Sequence, residues 1–285
     1  MKSASAKIWR DILLIFLLLI SVLFGGETVS YQIGADGFGL IVKYGEVEIE
    51  FPRQTSVAFK FRNQTEILGK LYMSAKLKRY PDKWIDETHV KIKPVELKVD
   101  ENKNIITFDA EEMWPHAEVK KIVRVFLMES YVHIRYMVRA NGNSSDIAHC
   151  LLNFNTGKLM DKKIILEPGG VKTFSHKGGL VCREQAFMKG GWIAYQNNST
   201  TEGLALLFHD LSLWSYFMGS LPLGKDQLDG GYMLQIANPR IQKLCLLNEI
   251  QYSLYLYPFK LRDPVDAIEK AMKTIKIKLN ECQEN

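Results

Sequence analysis

The sequence predicts an all-β protein: a large antiparallel β-sandwich, preceded by an N-terminal hydrophobic signal or anchor helix and closed by a C-terminal amphipathic helix. Three observations carry this reading. Residues 119–141 hold two long runs rich in Val, Ile and aromatics, joined by Glu129 and Ser130, which is the pattern of an antiparallel hairpin. Apolar and polar residues alternate in short stretches from residue 38 to residue 257, without the strand–helix–strand rhythm of an α/β protein. A helical period occurs in one further place, the last stretch of the chain.

The hairpin shows why the sheets should have unlike faces. In its second run Val132, Ile134, Tyr136 and Val138 share one face, while His133, Arg135, Met137 and Arg139 share the other. Earlier stretches repeat the pattern. Val47, Ile49 and Phe51 alternate with Glu46, Glu48 and Glu50, and Val57, Phe59 and Phe61 alternate with Ala58, Lys60 and Arg62. Residues 66–80 form a longer strand-like run, and residues 79–88, with Pro81, Asp82 and Trp84, read as a loop. Residues 88–99 alternate again, with Pro94 marking an edge or a bulge. Residues 141–146 form the clearest loop. Strand-like runs then follow at 147–155, 171–174, 180–188, 192–196, 204–208, 211–218, 232–236 and 249–257. About fifteen strands are expected in all.

In the terminal helix Asp263 is a suitable N-cap and Pro264 a suitable first residue. Ile268, Ala271, Met272, Ile275 and Leu279 make one apolar stripe, and Lys276 and Lys278 lie where the helix dipole favours cations. The helix is expected to pack on the sandwich as a lid, with its lysines on a solvated face.

At the amino terminus Lys2, Lys7 and Arg10 precede residues 12–24, which are apolar but for Ser21. A basic flank before so short an apolar run suits a secretory signal better than a full membrane span, which needs about 20 residues. The small residues wanted before a cleavage point are missing, because Val22, Leu23 and Phe24 precede Gly25. A short or tilted span over residues 8–24 therefore stands beside the signal reading. Either way the rest of the chain is placed outside the cytoplasm. The expected organisation is residues 1–28 as signal peptide or membrane anchor, 29–262 as the sandwich domain, and 263–285 as the helix and tail packed on it.

Composition sets limits on function. Of 285 residues 47% are hydrophobic and 24% charged, ordinary for a chain with a real core. A net charge of +5 is too mild to argue for nucleic acid. Cys150, Cys182, Cys245 and Cys282 stand singly, with no Cys-x-x-Cys pair to signal zinc. In an exported chain they allow three full disulfide pairings, with free buried thiols as the alternative. Asn63, Asn143, Asn197 and Asn198 begin Asn-x-Ser/Thr sequons.

The order of elements resembles the galactose-mutarotase-like β-supersandwich. The resemblance rests on residues 108–118 (Phe-Asp-Ala-Glu-Glu-Met-Trp-Pro-His-Ala-Glu) entering the long hairpin, on Gly-Trp-Ile-Ala-Tyr at 191–195 followed by Gly-Leu-Ala-Leu-Leu-Phe at 203–208, and on residues 248–257 as a closing strand. It covers roughly residues 29–259 in style and implies a sugar connection. It supplies no catalytic residues.

Candidate site residues come from side chains that alternation brings to one face. Trp114, His116 and Glu118 share a face of an extended segment, where an imidazole beside a carboxylate can move protons and an aromatic ring can stack on a sugar. His133, Arg135 and Arg139 need carboxylate partners or an anionic ligand; Glu118, Glu129 and Glu184 are the carboxylates on offer. Trp192 offers a second stacking surface. His209, beside Asp210 and ahead of Trp214 and Tyr216, sits at a strand end, where ligands often bind. The ligand-binding expectation is therefore Trp114, His116, Glu118, His133, Arg135, Glu184, Trp192 and His209. The plainer reading of each cluster is a solvated sheet face with ion pairs. No serine-hydrolase elbow, phosphate loop, zinc-protease or dinucleotide motif is present, so no catalytic residue, metal or cofactor is assigned. The function expected is an extracytoplasmic protein that binds or modifies carbohydrate. Its partners are carbohydrate and, if residues 1–28 are retained, the membrane, with no role for nucleic acid. The alternative is a structural or interaction module of a membrane-associated complex.

Overall fold

A computed structural model describes residues 30–33, 40–51, 56–77, 80–86, 90–100, 105–114, 117–128, 131–141, 147–157, 159–167, 170–175, 191–207, 216–222, 232–237 and 249–283. The N-terminal hydrophobic segment, and the strands expected at 180–188 and over 211–215, lie outside these residues. Two nine-stranded sheets account for the strands among them, and all pairings are antiparallel. Sheet A runs β1 (Ser30–Ile33), β2 (Leu40–Tyr44), β3 (Val47–Phe51), β4 (Val57–Phe61), β5 (Gly69–Leu77), β11 (Ile147–Thr156), β17 (Tyr232–Ala237), β16 (Tyr216–Pro222). Strand β6 (Tyr80–Asp86) is also paired to β5. Sheet B runs β13 (Gly170–Ser175), β12 (Lys162–Glu167), β14 (Trp192–Gln196), β15 (Glu202–Leu207), β18 (Glu249–Lys260), β10 (Val132–Asn141), β9 (Ala117–Leu127), β8 (Ile105–Trp114), β7 (Lys91–Asp100). One helix, α1 (Val265–Gln283), follows β18.

The central hairpin is β9–β10, with Val132 opposite Leu127 and Asn141 opposite Glu118. Met128 N–H donates to the Tyr131 carbonyl at 3.0 Å at the end of the hairpin, and Glu129 and Ser130 lie outside the described residues. Pro94 sits at a register shift on β7, the edge strand of sheet B, as its missing N–H requires. The loop expected over residues 79–88 is instead largely strand β6. Pro81 and Asp82 are turn formers, but β6 pairs with β5 alone, and an edge strand tolerates a residue that cannot donate.

Side chains from the facing surfaces of both sheets form one core. It includes Leu40, Ile49, Phe59, Leu71 and Phe154 from sheet A, and Val125, Ile134, Tyr195, Leu206 and Leu254 from sheet B. A second layer lies on the outer face of sheet B, where Ile164, Trp192, Ala194, Ala205, Leu207 and Phe259 meet Ile268, Ala271, Met272 and Ile275 of α1. Parity separates the layers: in β14 Ile193 and Tyr195 point inward while Trp192 and Ala194 point to the helix. Gly203 is required where this second layer is tightest, since a Cβ there would lie 2.3 Å from the Phe259 ring and 2.4 Å from the Tyr195 carbonyl oxygen.

The apolar stripe of α1 faces the sheet as its spacing predicts. The Pro264 carbonyl accepts the Ile268 N–H at 2.9 Å, so the helix begins one residue later than Asp263 capping would have it. It also runs on to Gln283, which leaves no basic residue in its last turn; Lys276 and Lys278 fall short of the dipole's end. At the end of the sandwich beside the start of α1, Gln64 Nε2 of the β4–β5 turn donates to Glu202 Oε1 at 2.6 Å, and Lys260 Nζ stands 3.0 Å from the same oxygen. Burial pushes the Glu202 carboxyl up, but the bonds from Lys260 and Gln64 outweigh it and hold the group below the usual carboxylate range. A charge is thus kept where a turn of sheet A meets sheet B.

Ile275→Asp should cost about 3 kcal/mol or more in urea unfolding, because Ile275 is 1% exposed and the change both empties its site and buries a charge. The solvent-facing Lys273→Gln should stay within about 0.5 kcal/mol. Equal effects of the two changes would mean that α1 does not hold its place on sheet B.

Candidate functional site

On sheet B the polar outer face begins where α1 stops covering it. His133 on β10 is opposite Phe126 on β9 and Tyr255 on β18, so three flat side chains stand in one cross-strand row. The imidazole is stacked between the two rings, 5.0 Å from Phe126 and 4.3 Å from Tyr255 between centroids. Its Nε2 shares a hydrogen bond with the Ser253 hydroxyl at 2.7 Å. Burial, with the nearby Arg135 guanidinium acting the same way, pushes the His133 pKa down to about 4. His133 is therefore a neutral, fixed ring at pH 7.

Arg135, two residues on, lies opposite Arg124 and Ser253. Its guanidinium is 5.8 Å from the centroid of the Phe126 ring, a cation–π arrangement that disperses charge without a carboxylate. Toward the edge of the sheet the face becomes a solvated ladder, shown by the exposed pair Lys93–Glu111 at 3.1 Å.

Of the other expected site residues, neither Trp114 nor Trp192 joins His133. Trp114 is 3% exposed and belongs to the inter-sheet core, whereas Trp192 is 1% exposed and lies beneath α1 on the opposite face of sheet B. Neither ring presents a surface on which a sugar could stack. The reason is register: strand parity, and not residue type, decides which way each indole points. Glu118 lies on β9 opposite Met113 and Asn141. His116, Glu184 and His209 lie outside the described residues.

A different polar group stands out on sheet A. On its outer face Tyr72 and Ser74 of β5 neighbour Asn153 and Asn155 of β11, with Asn153 directly opposite Tyr72. Ser56, one residue before the Val57–Leu71 pair, continues the row. Ser56 is 0% exposed, Asn153 1%, Ser74 3% and Tyr72 9%. Asn153 Nδ2 donates to the Ser74 hydroxyl, and Asn155 Nδ2 donates to the Tyr72 hydroxyl at 3.1 Å. The amides thereby use their donors and keep their acceptors: Asn153 Oδ1, Asn155 Oδ1 and Ser56 Oγ are buried without hydrogen-bond partners. Each such atom costs about 1–3 kcal/mol if nothing satisfies it. These five side chains are neutral; Lys70, opposite Asn155, stands at their border, and on the neighbouring strands Lys60 bonds both Glu48 and Glu50.

None of these residues was singled out in the sequence. The signal was the run Leu152-Asn153-Phe154-Asn155, in which neutral amides occupy alternate positions that a solvated face fills with charges. Among the described residues no group of three or more His, Cys, Asp or Glu could hold a metal ion, and no helix is long and apolar enough to cross a membrane.

No family model and no curated protein sequence matches the chain. Solved structures do match its fold. An α-N-acetylgalactosaminidase from Bifidobacterium bifidum superposes with a TM-score of 0.53 at 9% identity, over 85% of this chain and 39% of that enzyme. A GH36 α-galactosidase from Geobacillus stearothermophilus gives 0.50 at 8% identity, over 81% of this chain and 41% of that one. A galactose mutarotase-like protein from Clostridium acetobutylicum is matched over 98% of its length and 82% of this chain, at 7% identity and a TM-score of 0.45. The chain thus shares its fold with part of each of these two enzymes and spans about two fifths of their length. Structures of the galactose mutarotase-like type, the likeness expected from the sequence, are among its matches.

The His133 environment has a measurable consequence. Its folded pKa lies below that of the unfolded chain, so between pH 6.5 and about 4 the unfolded state binds a proton that the folded state refuses. Stability should fall as pH drops through that window, by up to roughly 3 kcal/mol from this group. In His133→Phe this part of the slope should vanish while the stacked row is kept; parallel pH–stability profiles for variant and wild type would exclude the assignment.

Proposed function

We propose that this chain is an extracytoplasmic carbohydrate-binding protein, with residues 1–28 as its signal or anchor, and that the outer face of sheet A receives the sugar once Ser56, Ser74 and Asn153, none more than 3% exposed, are uncovered. The observation that carries the reading is the set of buried acceptors without donors, Asn153 Oδ1, Asn155 Oδ1 and Ser56 Oγ, gathered on one face and bordered by Lys70, which lies opposite Asn155. A sugar offers a dense array of hydroxyls that donate to carboxamide oxygens and accept from amide and hydroxyl donors, without bringing a charge that this face would have to neutralise. A polyol is the ligand such groups suit; a carboxylate or phosphate would call for cations. The shared fold adds support, since the matched structures include an α-N-acetylgalactosaminidase and an α-galactosidase. On sheet B, by contrast, His133 and Arg135 are engaged by Phe126, Tyr255 and Ser253.

The purified full chain, screened on a glycan array, should bind at least one glycan, and Asn153→Leu should abolish that binding. Its stability should change by less than about 1 kcal/mol, because losing the Ser74 bond is offset by removing a buried orphan acceptor. No binding by the wild type, or undiminished binding by the variant, would refute the site. Export has its own test: a reporter that works only outside the cytoplasm, fused after Asn285, should be active, and activity confined to a cytoplasmic reporter would refute it.

A further inference from the structure

Two turns that meet at one end of the sandwich carry sequons whose asparagines are in opposite situations. The β4–β5 turn contains Asn63-Gln64-Thr65, and the β14–β15 turn contains two overlapping sequons, Asn197-Asn198-Ser199 and Asn198-Ser199-Thr200. The Gln64–Glu202 hydrogen bond places the turns side by side. Asn63 and Thr65 are exposed, as are Asn198 and Thr200. Asn63 has φ +62°, a left-handed conformation that asparagine tolerates, and it stands at the tip of its turn. Asn198 is held by its main chain, whose N–H donates to the Asp161 carboxylate at 2.8 Å. Asn197 is 8% exposed, and its Oδ1 accepts the Ser199 N–H at 2.8 Å and the Thr200 N–H at 3.2 Å. Its own N–H donates to the Glu202 carbonyl, whose carboxylate makes the bond between the sheets.

We propose that Asn63 and Asn198 are acceptors of N-linked oligosaccharide and that Asn197 is bare in the folded protein. The proposal rests on the export reading above and not on the sugar-binding one. In the transfer, the carboxamide nitrogen forms a bond to the anomeric carbon of an oligosaccharide carried on a polyprenyl phosphate lipid. The bond from that carbon to the phosphate oxygen breaks, the phosphate leaves with the electron pair, and the amide loses one proton. Transfer can precede folding, so the fold acts as a filter. A glycan on Asn63 or Asn198 projects into solvent, whereas one on Asn197 would be attached to a side chain that is 8% exposed and fixed by the two bonds to its Oδ1, and could be accommodated only by opening the turn that places Glu202. The structure thus selects between adjacent asparagines that the sequence treats alike.

The test uses the full chain, synthesised in the presence of endoplasmic-reticulum microsomes. Protease protection reports whether it is lumenal, and the trypsin-resistant folded fraction is then deglycosylated in heavy-oxygen water, which marks each formerly occupied asparagine. Asn63 and Asn198 should be marked in most molecules and Asn197 in fewer than about one in ten. Thr200→Ala removes the Asn198 sequon and leaves that of Asn197 intact; the Asn198 mark should disappear and Asn197 should stay unmarked. A lumenal, folded chain that is bare at Asn63 or Asn198, or marked at Asn197, would overturn the proposal and leave export standing. A chain left outside the lumen would overturn export and this proposal together.

Discussion

Strands β14 and β15 are buried on both faces: every side chain of Trp192–Gln196 and of Glu202–Leu207 is buried. In an antiparallel sheet this is unusual, because one face is commonly left to water. Two apolar faces need two covers. Sheet A supplies one and α1 the other, which explains why a chain made almost entirely of strands carries an amphipathic helix directly after β18. The width of that helix then sets the limit of the polar face of sheet B. Tyr255 marks the border, packed with Tyr131 beneath the helix on one side and stacked on His133 on the other. His133 is neutral because it stands at this border, partly inside an apolar layer, and not because a catalytic partner tunes it.

The outer face of sheet A is divided differently. Over β2, β3 and β4 it holds Lys43, Glu48, Glu50 and Lys60 in close pairs, and the buried Glu48 has its charge met by two lysines. In the middle of β5 and β11, between Lys70 and Lys76, Tyr72, Ser74 and Asn153 are hydroxyls and an amide, and they are buried. Charged groups could not be covered in this way without large desolvation costs; neutral polar groups can, provided that something satisfies them. The change from ions to amides across one sheet is a change from charges that meet one another to acceptors that lack donors.

Legibility in the sequence followed periodicity. The β9–β10 hairpin, the stripe of α1 and the bulge at Pro94 were readable because each rests on a local rule: alternation, a 3.6-residue repeat, or a missing donor. Strand β6 was not, because Pro81 and Asp82 carry turn signals that an edge position overrides. The site was less legible than the fold. Tryptophan and histidine draw the eye as sugar-stacking and proton-moving groups, yet Trp114 and Trp192 turn out to be core residues on opposite faces, a matter of register that composition does not encode. Asn153 and Asn155 drew no notice because an amide pair is not a motif. It becomes informative only when the partners across the strands, Tyr72 and Ser74, consume the donors and leave the oxygens over.

The position of β18 bears on how the chain is assembled as it is made. Strand β18 is the last in sequence, yet it lies inside sheet B, between β15 and β10. The hydrogen bond between His133 and Ser253 joins residues 120 positions apart. While the polypeptide emerges from its amino end, β7 to β10 can pair among themselves, but the free edge of β10 has no neighbour until residues 249–260 arrive. Half of sheet B therefore waits with an open edge, and loop closure over so long a separation is slow. Completion of the sheet and docking of α1 follow one another directly along the chain, so the step that seals the edge also delivers the helix that covers the exposed apolar face.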